Sequence, residues 1–461
     1  MKILKAAAAI FIAATLAASC DNSSRYVLIQ GYAQGGTYSV KLNLNGEKGR
    51  IHKNAAVLKT EIDSILNVID TTLSGYNKGS LLSRFNSGKS IPSARYDMFE
   101  DIYTRAYDYY EETGGALDVA SAPLFDLWGF GFTRDSLPSE SQVDAVRHSC
   151  GMARLKRDMH TAVDAEGQLN PRNLLTDSAK VFVNADVTSP VKLNYNAIAQ
   201  GYSCDVVADY LYSLGVKDML VDIGEIYCDG VNQQGQPWKV GVDRPFDGNN
   251  NPGADLDGIW QGDGSPCGIV TSGNYRKYYV KDGKKYAHTI DPRTGYPVEH
   301  NLLSATIVAK NATDADAFAT YCMVIGLEEA KKFIESRPDD IAGYLIYSDE
   351  NGDMKEWASE NFNLIKKQPD SYLVSVTIQS DFREFSSRRN VWAGNFPVSF
   401  IDGKLKLDTE PSANFMTAFT IIGEAVFSEN QHVIDAICST LFVADFGTNT
   451  TFTSDFPPST T

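Results

Sequence analysis

The chain predicts an α+β fold of mixed sheets and helices followed by a C-terminal extension of different character. Three observations carry this. Strand-like and helix-like segments alternate from Tyr26 to about Gln368. An Asp-Gly pair sits between two Tyr-rich runs at Lys277–Val280 and Lys284–His288, the pattern of a hairpin. Beyond residue 368 the periodicity becomes mixed, and the end, "TNTTFTSDFPPSTT", is Thr/Ser/Pro-rich. The boundaries read as a leader at 1–19, a tether at 20–30, the main domain at 31–367 and an extension of unassigned role at 368–461, whose last ~15 residues have the composition of disorder.

With 461 residues, 43% of them hydrophobic and 22% charged, the chain can bury a large core. Its net charge of −16 repels phosphate backbones, so nucleic acid is excluded as a general partner and a polyphosphate would need a local, cation-assisted site. Lys2 and Lys5 precede the apolar run Ala6–Leu16, which is shorter than the ~20 residues a membrane helix needs. Small residues then lead to Cys20. This order resembles a bacterial lipoprotein signal and predicts cleavage before Cys20, lipidation of that cysteine and an outward-facing anchor on the periplasmic side of the envelope. The other cysteines show no CxxC pairing, which argues against zinc and against a disulfide framework, and read as small buried hydrophobes.

In chain order, Ser39–Asn45 alternates as a strand, and Ala55–Ile69 carries Val57, Leu58, Ile62, Ile65, Leu66 and Ile69 at helical spacing. Asn196–Leu214 reads as a helix stopped by Gly215. Strands follow at Asp218–Ile223 and Trp238–Val242, then the hairpin, a strand at Leu302–Lys310 and a long helix from Thr313 to Glu335.

Several stretches carry chemistry. In "NATDADAFATYCM", Asp316 and Thr320 are four apart on one helix face and offer two oxygens to a hard cation; Thr313 with Asp316 fits a capping pattern equally well. In "KLNYNAIAQGYSCDVVADYL", Asn194 and Asn196 stand before a helix start suited to phosphate, or simply cap it. "TSGNYRKYY" offers Ser272 and Arg276. "YAHTIDPRTGYPVEH" places His288, Asp291 and Arg293 in a turn-rich loop, where Pro and Gly answer to turn geometry and the histidine does not. "GYAQGGTYSV" reads as a glycine-loosened loop entering a strand, and Asp118 interrupts the apolar run of "GGALDVASAPLFDLWGFG".

Together, "AQGGTYSV", "LSGYNKGSLLSRFN", "ALDVASAPLFDLWGFG", "NAIAQGYSCDVVADYL", "TSGNYRKYY", "HTIDPRTGYPV" and "ATDADAFATYCMVIG" resemble, in order, the ApbE-like flavin transferases over roughly Gly31 to Phe362. The resemblance implies an FAD:protein FMN transferase, which moves FMN from FAD to a Thr or Ser hydroxyl of an acceptor protein and releases AMP. It implies Mg²⁺ on Asp316, Thr320 and the main-chain carbonyl of Ala197, and flavin or adenosine contacts from Gln34, Tyr76, Ala116, Leu117, Asp118, Asn194 and Gln200, with Ser272, Arg276 and His288 also lining the FAD site. His288 or Asp291 is implied as the base that takes the acceptor's proton. Gln34, Asn194, Gln200 and Glu225 depart from the commoner Met, Asp, Lys and Gly, and the loss of a charge at 200 weakens phosphate attraction. A Mg²⁺-dependent FAD pyrophosphatase and a non-catalytic FAD-binding lipoprotein are the competing readings.

Overall fold

The computed structural model describes residues 25–89, 91–92, 97–130, 137–157, 160–162, 180–182, 191–246, 249, 253, 255–274, 278–281, 284–287, 289–366, 371–379, 390–401, 404–407 and 420–423. The leader, Cys20, Arg276, His288, Cys438 and the last ~15 residues lie outside the described residues. The chain divides into two compact units, 1–365 and 366–461.

An eight-stranded sheet organises the first unit: β1 (Tyr26–Ala33), β2 (Gly36–Asn43), β3 (Met219–Asp222), β4 (Ile226–Asp229), β5 (Cys267–Gly273), β6 (Leu302–Ala309), β7 (Ile341–Ser348) and β8 (Met354–Ala358). Spatial order follows chain order, and every pairing is antiparallel. β1 begins at Tyr26, so the expected tether is part of the fold from that residue onward. The loop read in "GYAQGGTYSV" is a two-residue hairpin: Ala33 pairs with Gly36, and Gln34 and Gly35 both take positive φ (52° and 82°), as the right-handed twist of the strands demands.

The central strands are buried on both faces, so they read as continuous apolar runs. In β7, Ile341 and Leu345 join the larger core while Ala342, Tyr344 and Ile346 face the other way. The larger core lies under helices α1 (Ala55–Leu73), α2 (Asp97–Glu112), α3 (Ala199–Ser213), α4 (Ala312–Ile325) and α5 (Leu327–Glu335). The smaller core lies under a three-stranded sheet of Lys239–Asp243, Leu256–Gln261 and Leu364–Lys366, through Trp238, Val242 and Trp260. Helix α1 shows the periodicity directly: Leu58, Ile62, Leu66, Ile69 and Leu73 are buried, and Asn54 caps it by accepting from the Val57 N–H (2.9 Å).

Two expectations are corrected. The helix read as Thr313–Glu335 is two helices, because Gly326 takes φ 79° and ends α4. Its N-cap is Asn311, which accepts from the Asp314 N–H at 2.7 Å, so Thr313 and Asp316 do not form the capping pair. The expected hairpin is present as Tyr278–Lys281 paired with Lys284–Ala287. In the second unit, an antiparallel four-stranded sheet joins Lys404–Leu407, Asn390–Ile401, Ser371–Gln379 and Thr420–Gly423 in that order.

Among the described residues no helix is long and apolar enough to cross a membrane.

Candidate active site

The site begins where α3 crosses α4. Gly201 makes the crossing possible: a Cβ there would run into the Ala312 carbonyl and stand 2.9 Å from the Asp316 Cβ. Only a residue without a side chain admits that approach. The Gly201 N–H donates to the Asp316 carboxylate at 3.1 Å, so an acid of α4 is aimed at the first turn of α3, one turn after Ala197. That N-terminal turn has no side-chain cap; its N-cap position is Ile198, not Asn194 or Asn196. Asn194 instead accepts from the Asn196 N–H (2.9 Å), and its own N–H reaches the Val119 carbonyl (2.7 Å), tying the helix start to the segment of Ala116, Leu117 and Asp118.

Asp316 is buried, and the Gly201 N–H is its one hydrogen-bond donor among the described residues. Burial pushes its carboxyl up to about 8, with the charge of Asp205 adding to the rise. Asp205 has a different task. From α3 it accepts the N–H groups of Ala312 (2.8 Å) and Thr313 (2.9 Å) and the Thr313 hydroxyl (2.5 Å), closing the start of α4. Sequence reasoning did not single it out; the available signal was an acid four residues after Gly201 on a helix side otherwise made of Gly201, Cys204 and Ala208.

Around this crossing the structure gathers other expected residues. Thr320, one turn along α4 from Asp316, lies 3.4 Å (Oγ1···Oγ) from Ser272 at the end of β5. Gln200 donates to the Ile223 carbonyl (3.2 Å) and packs over Gly224, whose φ of 91° and missing side chain leave it room. Gln34 reaches over from the β1–β2 turn to Ser203 (2.5 Å), a second residue the sequence did not flag.

A neighbouring cleft of about 230 Å³ is lined by Gly115, Asp118, Cys150 and Arg293 among others. Ala116 and Leu117 are buried behind it. Asp118 is held by the Ala120 N–H (2.8 Å) and the Met152 N–H (3.0 and 3.1 Å), and burial, partly offset by those bonds, raises its carboxyl to about 6. The turn that carries Asp291 docks here: Trp128 Nε1 donates to the Gly295 carbonyl at 2.8 Å. Asp291 grips Arg293 with both oxygens, each at 2.9 Å, and this bidentate pair staples the turn and occupies the carboxylate. Thr289 ties the start of the same segment to Asn274, just past β5, at 2.7 Å. Tyr76 stands 67% exposed on the loop after α1.

Among the described residues no group of three or more His, Cys, Asp or Glu side chains is placed to hold a metal. Asp316 and Thr320, one turn apart on α4, offer instead one acid and one hydroxyl, hard oxygen donors of the kind that suit a cation completed by substrate and water. Asp316, desolvated and with one donor, fits such a partner.

The ApbE family model matches residues 35–345. The chain belongs to the ApbE family. It is 34% identical over 329 residues to the FAD:protein FMN transferase of Escherichia coli K12, covering 70% of this chain and 84% of that relative. The FAD:protein FMN transferase of Vibrio cholerae is 32% identical over 351 residues, 75% of this chain and 95% of its own. Among solved structures, the apo form of the flavinyl transferase ApbE from Pseudomonas stutzeri superposes with a TM-score of 0.58 at 29% identity, covering 73% of this chain and 95% of that one. All seven stretches that suggested this ApbE family from sequence lie within or overlap the matched residues.

Proposed function

We propose that this chain, a flavin transferase of the ApbE family, moves the FMN half of FAD onto a Thr or Ser hydroxyl of an acceptor protein in a Mg²⁺-dependent reaction. The observation that carries the metal-dependent reading is Asp316: a buried carboxylate with one backbone donor, one turn from Thr320 and facing the helix turn after Ala197. Asp316, Thr320 and the Ala197 carbonyl would hold the ion, which supplies charge neutralisation to the pyrophosphate and to departing AMP. The rest falls to the chain's own groups. Gln34, Gln200 and Ser272 surround the crossing and orient the dinucleotide, while Asp118 presents a hydrogen-bonding edge in the adjoining cleft. Because Asp291 is engaged by Arg293, His288 is the better choice for taking the proton from the acceptor hydroxyl.

Incubation with FAD, Mg²⁺ and membrane proteins of the source cell tests this: a flavin-fluorescent band in a denaturing gel with stoichiometric AMP release is expected. Steady release of free FMN with no labelled band under any acceptor would assign hydrolysis instead. For location, we propose a lipid anchor on Cys20 facing outward. Fatty-acid labelling lost in Cys20→Ala supports it, and labelling that survives the change refutes it.

A further inference from the structure

The sequence gives the cysteines no pairing pattern, yet the fold brings two of them face to face. Cys228 on β4 and Cys267 on β5 are direct partners in the antiparallel register, with Sγ atoms 3.8 Å apart and both thiols free. Direct antiparallel partners have Cα atoms about 4.5–5.5 Å apart, inside the 4.4–6.8 Å range of disulfides, so a side-chain rotation closes the remaining gap without moving the strands. Side chains alternate along β5, so Cys267 belongs to the small-sheet side while Ser272 faces α4.

We propose that Cys228 and Cys267 form a redox-modification site that closes into a cross-strand disulfide when the folded protein meets a disulfide donor. Cys267 is partly exposed and Cys228 is buried. The hydrogen bond with Cys267 and burial push the Cys228 thiol well above its ordinary range, which makes Cys267 the entry point. Its thiolate attacks one sulfur of a low-molecular-weight disulfide such as oxidised glutathione, forming a mixed disulfide and releasing one thiol. The Cys228 sulfur, losing its proton, then attacks Cys267 and expels the second thiol. Two protein thiols are oxidised, one donor disulfide is reduced to two thiols, and the protons end on those thiols. An oxidising, outward-facing compartment supplies such donors.

The position gives the bond a purpose. The excursion between the two cysteines contains Lys239–Asp243 and Leu256–Gln261, two of the three strands that cover the smaller core. A bridge at its neck closes that covering layer onto the centre of the main sheet and removes freedom from the unfolded chain. The site is separate from FMN transfer and does not rest on that reading.

The test uses the full chain incubated with oxidised glutathione, then denatured, alkylated and digested without reductant. We expect a peptide linking Cys228 to Cys267, and a thermal midpoint about 5 °C above that measured in dithiothreitol. In Cys267→Ala the difference should vanish, with Cys228→Ala as a second variant should the first fold poorly. Alkylation of both cysteines after oxidation, a glutathione adduct on Cys267 alone, or a linked peptide from a different pair would each overturn the proposal.

Discussion

Two regions of the site each hold an aspartate at a helix junction, and they treat it differently. Beside the cleft, Asp118 is anchored by the Ala120 and Met152 N–H groups and rises to about 6; at the crossing of α3 and α4, Asp316 has, among the described residues, the Gly201 N–H alone and rises to about 8. Burial by itself therefore does not mark an acid suited to a cation. What marks it is burial with acceptor capacity left over, since a desolvated carboxylate gains most from a cation when few donors already satisfy it.

The sharpest way to break this contrast is Asp316→Ala. FMN transfer should fall by roughly 10³-fold, the equivalent of several kcal/mol of lost charge stabilisation. The far-UV circular dichroism should not change, and a comparable loss in Asp118→Ala without loss of stability would erase the distinction. Gly201→Ala probes the geometry that aims Asp316. Its methyl group meets the backbone of Ala312, which cannot swing away, so destabilisation of about 1–3 kcal/mol is expected in chemical denaturation despite alanine's better helix propensity. Asp205→Ala should cost about 1–2 kcal/mol by uncapping α4, with activity falling only as the helix frays.

The raised carboxyl of Asp316 adds a pH test. Because its folded value lies above its ordinary 3.8, this group's contribution to stability is complete below about pH 4 and is lost as pH rises through about 8. Metal-free protein should therefore lose thermal stability between pH 6 and 8.5, above the window of Asp118 and Asp205, and Asp316→Asn should flatten that slope. Added Mg²⁺ should raise the midpoint more at pH 8 than at pH 6, because it binds the ionised form. The smallest effect is expected from Gln200→Lys, which restores a cation near the crossing. A KM for FAD lower by about 2–5-fold is the expectation, the size of one partly exposed charge contact.

Much of the framework was legible from sequence because it is local. The 3–4 spacing of Leu58, Ile62, Leu66 and Ile69 specifies a one-sided helix, and Asp282-Gly283 between Tyr-rich runs specifies a hairpin. The split at Gly326 escaped because apolar residues continue at helical spacing on both sides of it, through Phe318, Cys322, Ala330 and Ile334. Asp316 was named in the sequence, but its contact was not legible for the opposite reason: nearby Thr313 offered a local explanation, while its partner, Gly201, is 115 positions away. Its spacing with Thr320 left the cation and capping readings both open, and the ordered family motifs favoured the first. Asp205 was silent for the same cause, since a long-range cap looks in sequence like any acid on a helix.

The strand order of the main sheet also bears on how the chain is made. The β1–β2 hairpin leaves the ribosome first, but β3, which pairs with its inner edge, begins only at Met219. Synthesis of residues 44–218 at ~5–20 residues per second leaves that hairpin edge without its strand for roughly 9–35 s. During this wait α1, which packs against β1, is the first element able to shield the nascent ribbon, so lesions in α1 should show up as poor yield at the bench before they show up in the assay of the finished enzyme.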